Sequence, residues 1–312
     1  MDEHFHESKK LSKDRITGLM KRSDGPALIR FIAMYVLFLG ACAFAVLSWQ
    51  QALWQWALSQ ICLGILCCGT FAALHETAHN TAFKSPFLNH AAAFLAGVAH
   101  VYPSIVFREL HFTHHRHTHV PGQDPEISLG TRPAPSVVRT LPMYLGWLSG
   151  LPLLLFKIGM TMSSALGMPD FLRKRLYPFI RPKVRPGLAL ESLFVLAVYG
   201  AVVWLALRVH PGFWGILTGQ VVGHSLLASY VSAEHNGLPY NAPILECTRS
   251  MRTNALVKLL MWNMPYHAEH HAYPAVPFHA LPRLHLALKD ELKNKDLSYP
   301  AFHLNVLLRR IA

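Results

Sequence analysis

The sequence predicts an all-α integral membrane protein: four transmembrane helices paired as two hairpins, re-entrant or interfacial helices beside them, and a histidine-rich cytoplasmic cap. Three observations carry that expectation. Of the 312 residues, 52% are hydrophobic and 15% charged, a balance typical of membrane chains rather than soluble ones. Four apolar runs are long enough to cross a ~30 Å hydrocarbon core, which takes roughly 20 residues in a helix. The chain holds 20 histidines, and those with close neighbours lie beside the ends of these runs.

Residues 1–26 are polar and read as a cytoplasmic N-terminal segment without the apolar core of a cleavable signal peptide, so the first span directs insertion. A membrane domain at 27–290 follows, then a tail at 291–312. Phe31 to Trp49 and Ala52 to Leu74 contain no charged residue and are separated by Gln50-Gln51, which makes them a helical hairpin. Leu188 to Leu207 and Gly212 to Ala233 form the second, linked by Arg208-Val209-His210-Pro211. Gly215, Gly219 and Gly223 recur every fourth residue, a pattern that lets a neighbouring helix approach closely. Two weaker stretches, Phe87 to Val106 and Leu141 to Leu155, are interrupted by Asn89, His90, His100 and Pro103, and by Gly146, Gly150 and Pro152. They read as re-entrant or interfacial, because a full crossing at 87–106 would put neighbouring histidine clusters on opposite faces.

Lysine and arginine number seven in residues 1–30, twelve in 74–187 and nine in 232–312, against Arg208 alone at the far turns. Both termini and every cluster are therefore cytoplasmic by the positive-inside rule, as in a bacterial inner membrane. The net charge of +12 then reflects topology and contact with anionic lipid rather than nucleic acid, with docking of an acidic electron carrier as a second use. The five cysteines, odd in number and lying in spans or on the cytoplasmic side, argue against disulfides.

On a helix, residues three and four apart share a face. His75 and His79 in HETAHN stand at i,i+4. His111, His114 and His115 in HFTHH, and His267, His270 and His271 in HAEHH, repeat i,i+3,i+4, so each group aims two or three imidazoles at one point; His235 stands alone. Imidazole serves zinc, copper, iron and nickel alike. One zinc is satisfied by three or four protein ligands, whereas eight or nine point to two metals, suggesting a di-iron centre that activates oxygen. HETAH also fits the H-E-x-x-H pattern of zinc metalloproteases, but that reading leaves both triads unused. A metal transporter would place its sites near the bilayer midplane rather than at span ends. His210-Pro211-Gly212 resembles a cytochrome b5 haem motif, yet it sits in a tight turn with no room for a haem domain.

HETAH, HFTHH, SAEHNG and HAEHH, in this order and flanking two hairpins, resemble the membrane fatty acid desaturase family and its relatives the alkane hydroxylases over roughly residues 30–290. FREL, GQDPEI, TRSMRTN and WNMPYHAEHHAYPAVPF resemble its bacterial branch. The resemblance implies that His75, His79, His111, His114, His115, His267, His270 and His271 bind two non-haem irons, that His235 is a ninth ligand, and that O2 is co-substrate for attack on unactivated C–H bonds of an acyl chain. It implies desaturation first, with hydroxylation or oxidative decarboxylation as alternatives on the same scaffold, and a separate electron donor of ferredoxin, rubredoxin or cytochrome b5 type. Asp124 and Glu126 are expected to orient imidazoles through their free N–H.

HHRHTH departs from the family pattern by adding His117 and His119. On a helix continued from His111 to Pro121, His119 drifts about 80° from the first ligand and can support it, while His117 points away. His224 lies eleven residues before His235, about 16 Å along a helix, too deep for the metal site; it is read as lining an acyl tunnel or bonding between helices. Glu76, Glu234 and Glu269 adjoin ligands and either bond imidazoles or face solvent, and Arg252, Trp262, Asn263 and Tyr266 are read as supports or substrate contacts. The isolated histidines, among them His4, His6, His100, His285 and His303, are read as structural.

Overall fold

A computed structural model describes residues 11–129, 131 and 140–308. His4, His6, Arg132, Arg139, Arg309 and Arg310 lie outside the described residues. Every element among those described is helical, and the one extended pairing there is a bridge between Arg252 and Ser298.

After the short α1 (Lys13–Leu19), α2 (Asp24–Leu47) and α3 (Leu53–Ala78) form the first hairpin around a turn at 48–52. Along α2 the buried positions are Phe31, Met34, Phe38, Ala41 and Ala45, a helical period, while Ile32, Val36, Leu39 and Leu47 stay exposed. Both faces are apolar, so the outer one needs a lipid environment and the inner one packs. α3 is the inner helix: 67% of its apolar window is buried, against 28% for α2.

α4 (Pro86–Ala99) and α5 (Ser104–Arg116) meet at 101°, where Pro103 cannot continue the first helix and caps the second. Beyond α6 (Pro125–Ser128), α7 (Leu141–Leu148) and α8 (Leu151–Ala165) bend by 54° at Gly150. α9 (Asp170–Leu176) precedes α10 (Arg185–Arg208) and α11 (Trp214–His235); α12 (Ile244–Cys247), α13 (Ala255–Leu260), α14 (His267–Ala272), α15 (Leu281–Leu288) and α16 (Tyr299–Leu307) complete the chain. Among the described residues, three helices are long and apolar enough to cross a membrane, or up to five if each bent pair is one span.

Two expectations change. The span expected at 212–233 is a helix, but α11 is not among the three: it carries buried Gln220, His224 and Ser232. Nor do α10 and α11 make a tight hairpin. Although joined by a short turn that His210 caps by accepting the Gly212 amide at 3.0 Å, α11 packs chiefly along α3, and α10 along α8. The glycine face explains the choice. A Cβ at Gly219 would come within 2.3 Å of Leu63, at Gly223 within 2.8 Å of Cys67, and at Gly215 within 2.7 Å of the Ala45 carbonyl, so the glycines admit α3 and α2 at distances no larger residue allows.

Gly150 has the tightest constraint. Its φ is +74°, and a Cβ there would lie 2.2 Å from the Ser225 amide nitrogen, which is backbone and cannot step aside. Gly150→Ala should destabilise the protein by more than about 2 kcal/mol, combining overpacking with left-handed strain. Gly146→Ala, with no neighbour within 4 Å, should be neutral; thermal melting of the purified chains compares them.

Candidate metal centre

Four helix ends deliver the histidines. α3 brings His75 in its last turn and His79 at its C-cap, and ends because Asn80 turns left-handed at φ 55°. The Asn80 Oδ1 accepts from Arg108 Nη1 at 3.0 Å, which ties that end to α5. α5 carries His111, His114 and His115; α11 ends on His235; α14 holds His267, His270 and His271. His79 Nε2 lies 2.8 Å from His111 Nε2, so the bent α4–α5 pair leaves and returns to the same end of α3.

The rings sort into two groups. His75, His79, His111, His115 and His270 each offer a nitrogen, all within 4.8 Å of one another, and His114, His235 and His271 do the same. His267 joins the second group, with its Nε2 2.8 Å from His235 Nε2. His115 and His271 stack at 4.1 Å, so the groups share a wall. All nine predicted ligands thus meet in one place, eight of them buried.

Burial disfavours the charged form of His79, His270 and His271. Burial, with His114 nearby, pushes His270 down to about 3; burial with His115 and His267 takes His271 well below the ordinary range, and burial with His270 does so for His79. A neutral imidazole has one N–H and one lone pair, and fixing the first aims the second. His114 Nδ1 lies 3.0 Å from both Asp124 oxygens, His235 Nδ1 donates to the Cys247 carbonyl at 2.9 Å, and His271 Nδ1 sits 3.2 Å from Thr118 Oγ1. In each case Nε2 is left for the centre. His271 Nε2 and both nitrogens of His75 are buried without a hydrogen-bond partner, a costly condition that a bound metal relieves. Two clusters of imidazole nitrogen donors fit two transition-metal ions.

Asp124, behind His114, caps α6 by accepting the Glu126 amide, and it also accepts the His119 amide, each at 2.9 Å. Glu126 also approaches the centre. Its oxygen is 4.0 Å from His114 Nε2, on the centre side. His119 is a correction of mechanism, since α5 stops at Arg116 and His119 is left-handed at φ 61°. Its Nδ1 meets the Pro239 carbonyl at 2.9 Å and its ring stacks on Tyr240 and lies 5.7 Å from the His235 ring, so it clasps the loop after α11 beside a ligand. His117 is half-buried on the outer side, along a groove with Arg116.

Of the three neighbouring glutamates only Glu234 approaches a ligand, 3.5 Å from His267 Nδ1. Glu76 accepts from Thr81 and from the Phe278 amide, and Glu269 is bonded to Ser250 and His285. All three are buried; none faces solvent. Trp262 packs on Phe278, Asn263 donates to the Phe278 carbonyl at 3.0 Å, Lys258 donates to Tyr266, and Arg252 pairs with the backbone at Leu297. These four are supports, and none lines the cavity beside the histidines.

That cavity, ≈ 50 Å³, is bounded by His75, His111, His114 and His267 with Glu126 and Glu234 on one side and by Phe71, Tyr102, Phe107, Leu153, Phe156, Leu227 and Val231 on the other. Lys157 also lines it. The sequence reading missed Lys157 and Thr118; a lysine inside the run LPLLLFKIGM was the available signal, since a charge in an apolar helix marks function by default. His224 is buried and bonded to the Gln220 carbonyl at 2.8 Å and to Lys157, the inter-helix role of the two expected.

The sequence model of the family described as "Fatty acid desaturase" matches residues 51–303. Curated relatives include a putative sphingolipid delta(4)-desaturase/C4-monooxygenase of Caenorhabditis elegans, 26% identical over 235 residues, covering 71% of this chain and 55% of the relative. A sphingolipid delta(4)-desaturase DES1-like protein of Oryza sativa subsp. japonica is 27% identical over 217 residues, 66% of this chain and 56% of that one. The delta(5) fatty acid desaturase fat-4 of C. elegans is 24% identical over 254 residues, 72% and 55% respectively. The chain spans about half the length of the curated relatives it matches.

The carboxylate behind His114 gives a direct check on the geometry. Asp124→Asn keeps the shape and removes the charge, and should weaken transition-metal affinity about 10- to 100-fold, read by chelator competition. Glu269→Gln, whose carboxylate touches no ligand ring, should change that affinity much less.

Proposed function

The chain belongs to the fatty acid desaturase family, and from that premise we propose that it is a membrane-bound, O2-dependent di-iron oxidoreductase that introduces a double bond into an acyl chain. The observation that carries the reading is the convergence of nine imidazoles in two adjoining groups. His75, His79, His111, His115 and His270 would hold one iron, and His114, His235, His267 and His271 the other. When bound, the pair supplies the oxidising chemistry that dioxygen and donated electrons make available.

The chain's own residues do the rest. Phe71, Tyr102, Phe107, Leu153 and Phe156 give the cavity an apolar wall beside the histidines, which favours methylenes and excludes water. Fixing two adjacent methylenes against the centre is an entropic and geometric contribution; desaturation removes one hydrogen from each. Asp124, the Cys247 carbonyl and Thr118 hold the rings of His114, His235 and His271 in one tautomer.

Hydroxylation is the second reading, favoured because one relative's name joins desaturase with C4-monooxygenase. The two differ in whether the carbon loses a second hydrogen or gains oxygen, which depends on small displacements of the chain.

The proposed electron donor is a separate protein of ferredoxin, rubredoxin or cytochrome b5 type. On the outer side of α5, behind His111 and His115, a groove of ≈ 800 Å³ is lined by Arg108, Arg116, Arg175 and Arg181, with Glu109 paired to Arg181. A surplus of guanidinium groups there suits an acidic carrier through steering. The cation distribution in sequence supports placing this face and both termini in the cytoplasm, in a bacterial inner membrane.

The chain purified with its metal should contain two irons, and His111→Ala should lose both metal and turnover. Lipid profiling by mass spectrometry in cells supplying a reductase should find products two hydrogens lighter; two irons with full activity in His111→Ala defeats the assignment. The double variant Arg116→Glu, Arg175→Glu should slow electron delivery about 10-fold or more at low salt and leave iron content unchanged, with the deficit shrinking as ionic strength rises.

A further inference from the structure

We propose that Lys157 recognises a carboxylate on the substrate, so that the protein oxidises a free carboxylic acid close to its head-group end rather than a chain tethered through an ester. The inference rests on the acyl-oxidising reading above and names its substrate class.

Lys157, on α8, is 1% exposed. Its Nζ lies 3.2 Å from His224 Nε2 and 3.4 Å from His100 Nδ1. His224 donates its Nδ1–H to the Gln220 carbonyl, so its Nε2 accepts from the lysine. His100 likewise accepts at Nδ1, which puts its own hydrogen on Nε2, facing the Cys67 backbone. One donor is thus left over, the third N–H of Lys157. Both histidines are fully buried. Among the described residues no carboxylate forms an ion pair with Lys157; its other neighbours are the faces of Phe71 and Tyr102, 5.6 and 5.5 Å away.

An amine buried without a counter-charge is costly, and a structural role alone would be better served by methionine or leucine at this position. A carboxylate supplies the missing charge and accepts a charge-assisted hydrogen bond from the ammonium. Lys157 lines the same cavity as His75 and His111, so a head group held by its amine lies beside the centre.

The same layout places the reacting carbon. Phe71 is 5.6 Å from Lys157 Nζ and 6.3 Å from the His75 ring, and Tyr102 and Phe107 form a parallel path to His111. A single aromatic layer separates the amine from the histidines, so with the carboxylate on Lys157 the carbons that reach the centre are those a few bonds from the head group.

Binding of dodecanoate, dodecanol and methyl dodecanoate to the full chain in nanodiscs tests this. The wild type should bind dodecanoate at least 10-fold more tightly than the other two. Lys157→Met should bind all three alike, with dodecanol affinity and thermal stability retained, and Lys157→Arg should keep part of the preference. Acids of ten, twelve and fourteen carbons should be oxidised at one position counted from the carboxyl group. Equal binding of acid and alcohol by the wild type, a preference that survives in Lys157→Met, or a position counted from the methyl end overturns the proposal. Any of these in a protein holding two irons leaves the functional reading standing. Failure to take up iron sinks that reading, while the binding comparison still decides this one.

Discussion

Everything in this structure depends on bringing nine imidazoles from four helix ends into one volume that excludes water. Buried polar atoms without partners are among the costliest features a fold can carry, and here His75 and His271 present such atoms by design of position. The cost is offset in part because three of the rings are anchored: Asp124, the Cys247 carbonyl and Thr118 each hold an Nδ1. The same anchors aim the opposite nitrogens inward, so satisfying the hydrogen bonds and shaping a donor set for metal are one operation.

The helix packing serves that convergence. α11 carries Gln220, His224 and Ser232 where a lipid-facing helix would carry leucine, and buries them; its glycines let it seat against α3 at backbone distance. That seating brings His235, at the end of α11, to the same end of the bundle as His75 and His79. α2 and α10 expose leucine, isoleucine and valine outward, so the polarity gradient runs opposite to that of a soluble domain, with polar groups concentrated inside. Lys157 belongs to this logic, since an amine inside an apolar bundle needs partners there, and two histidines provide part of what it requires.

The legible part of the fold was that set by local rules. Spacing of i,i+3,i+4 identified three histidine clusters, and the four long helices stand close to the expected boundaries, with α3 extending four residues past Leu74 to carry His75 onward. The less legible part involved competition between local and distant contacts. A helix drawn from His111 to Pro121 looked continuous, yet it stops at Arg116, because His119 gives up helical geometry to bond the Pro239 carbonyl and stack on Tyr240. A short link suggested that α10 and α11 pair, but chain connectivity limits distance without choosing a packing face. Lys157 was counted among the cytoplasmic-side cations of residues 74–187, since charge tallies carry no information on burial.

The sequence by itself determined the membrane class, the all-helical architecture and the residue types of the centre, because hydropathy and helical periodicity are properties of short stretches. Only the tertiary structure decided which imidazoles share a group, that His267 stands with His235 and His271, that Asp124 backs His114, and that a lysine and two isolated histidines meet inside the bundle. Those facts rest on contacts between residues tens to hundreds of positions apart, and such contacts follow from how glycine faces, bends and caps pack together in three dimensions.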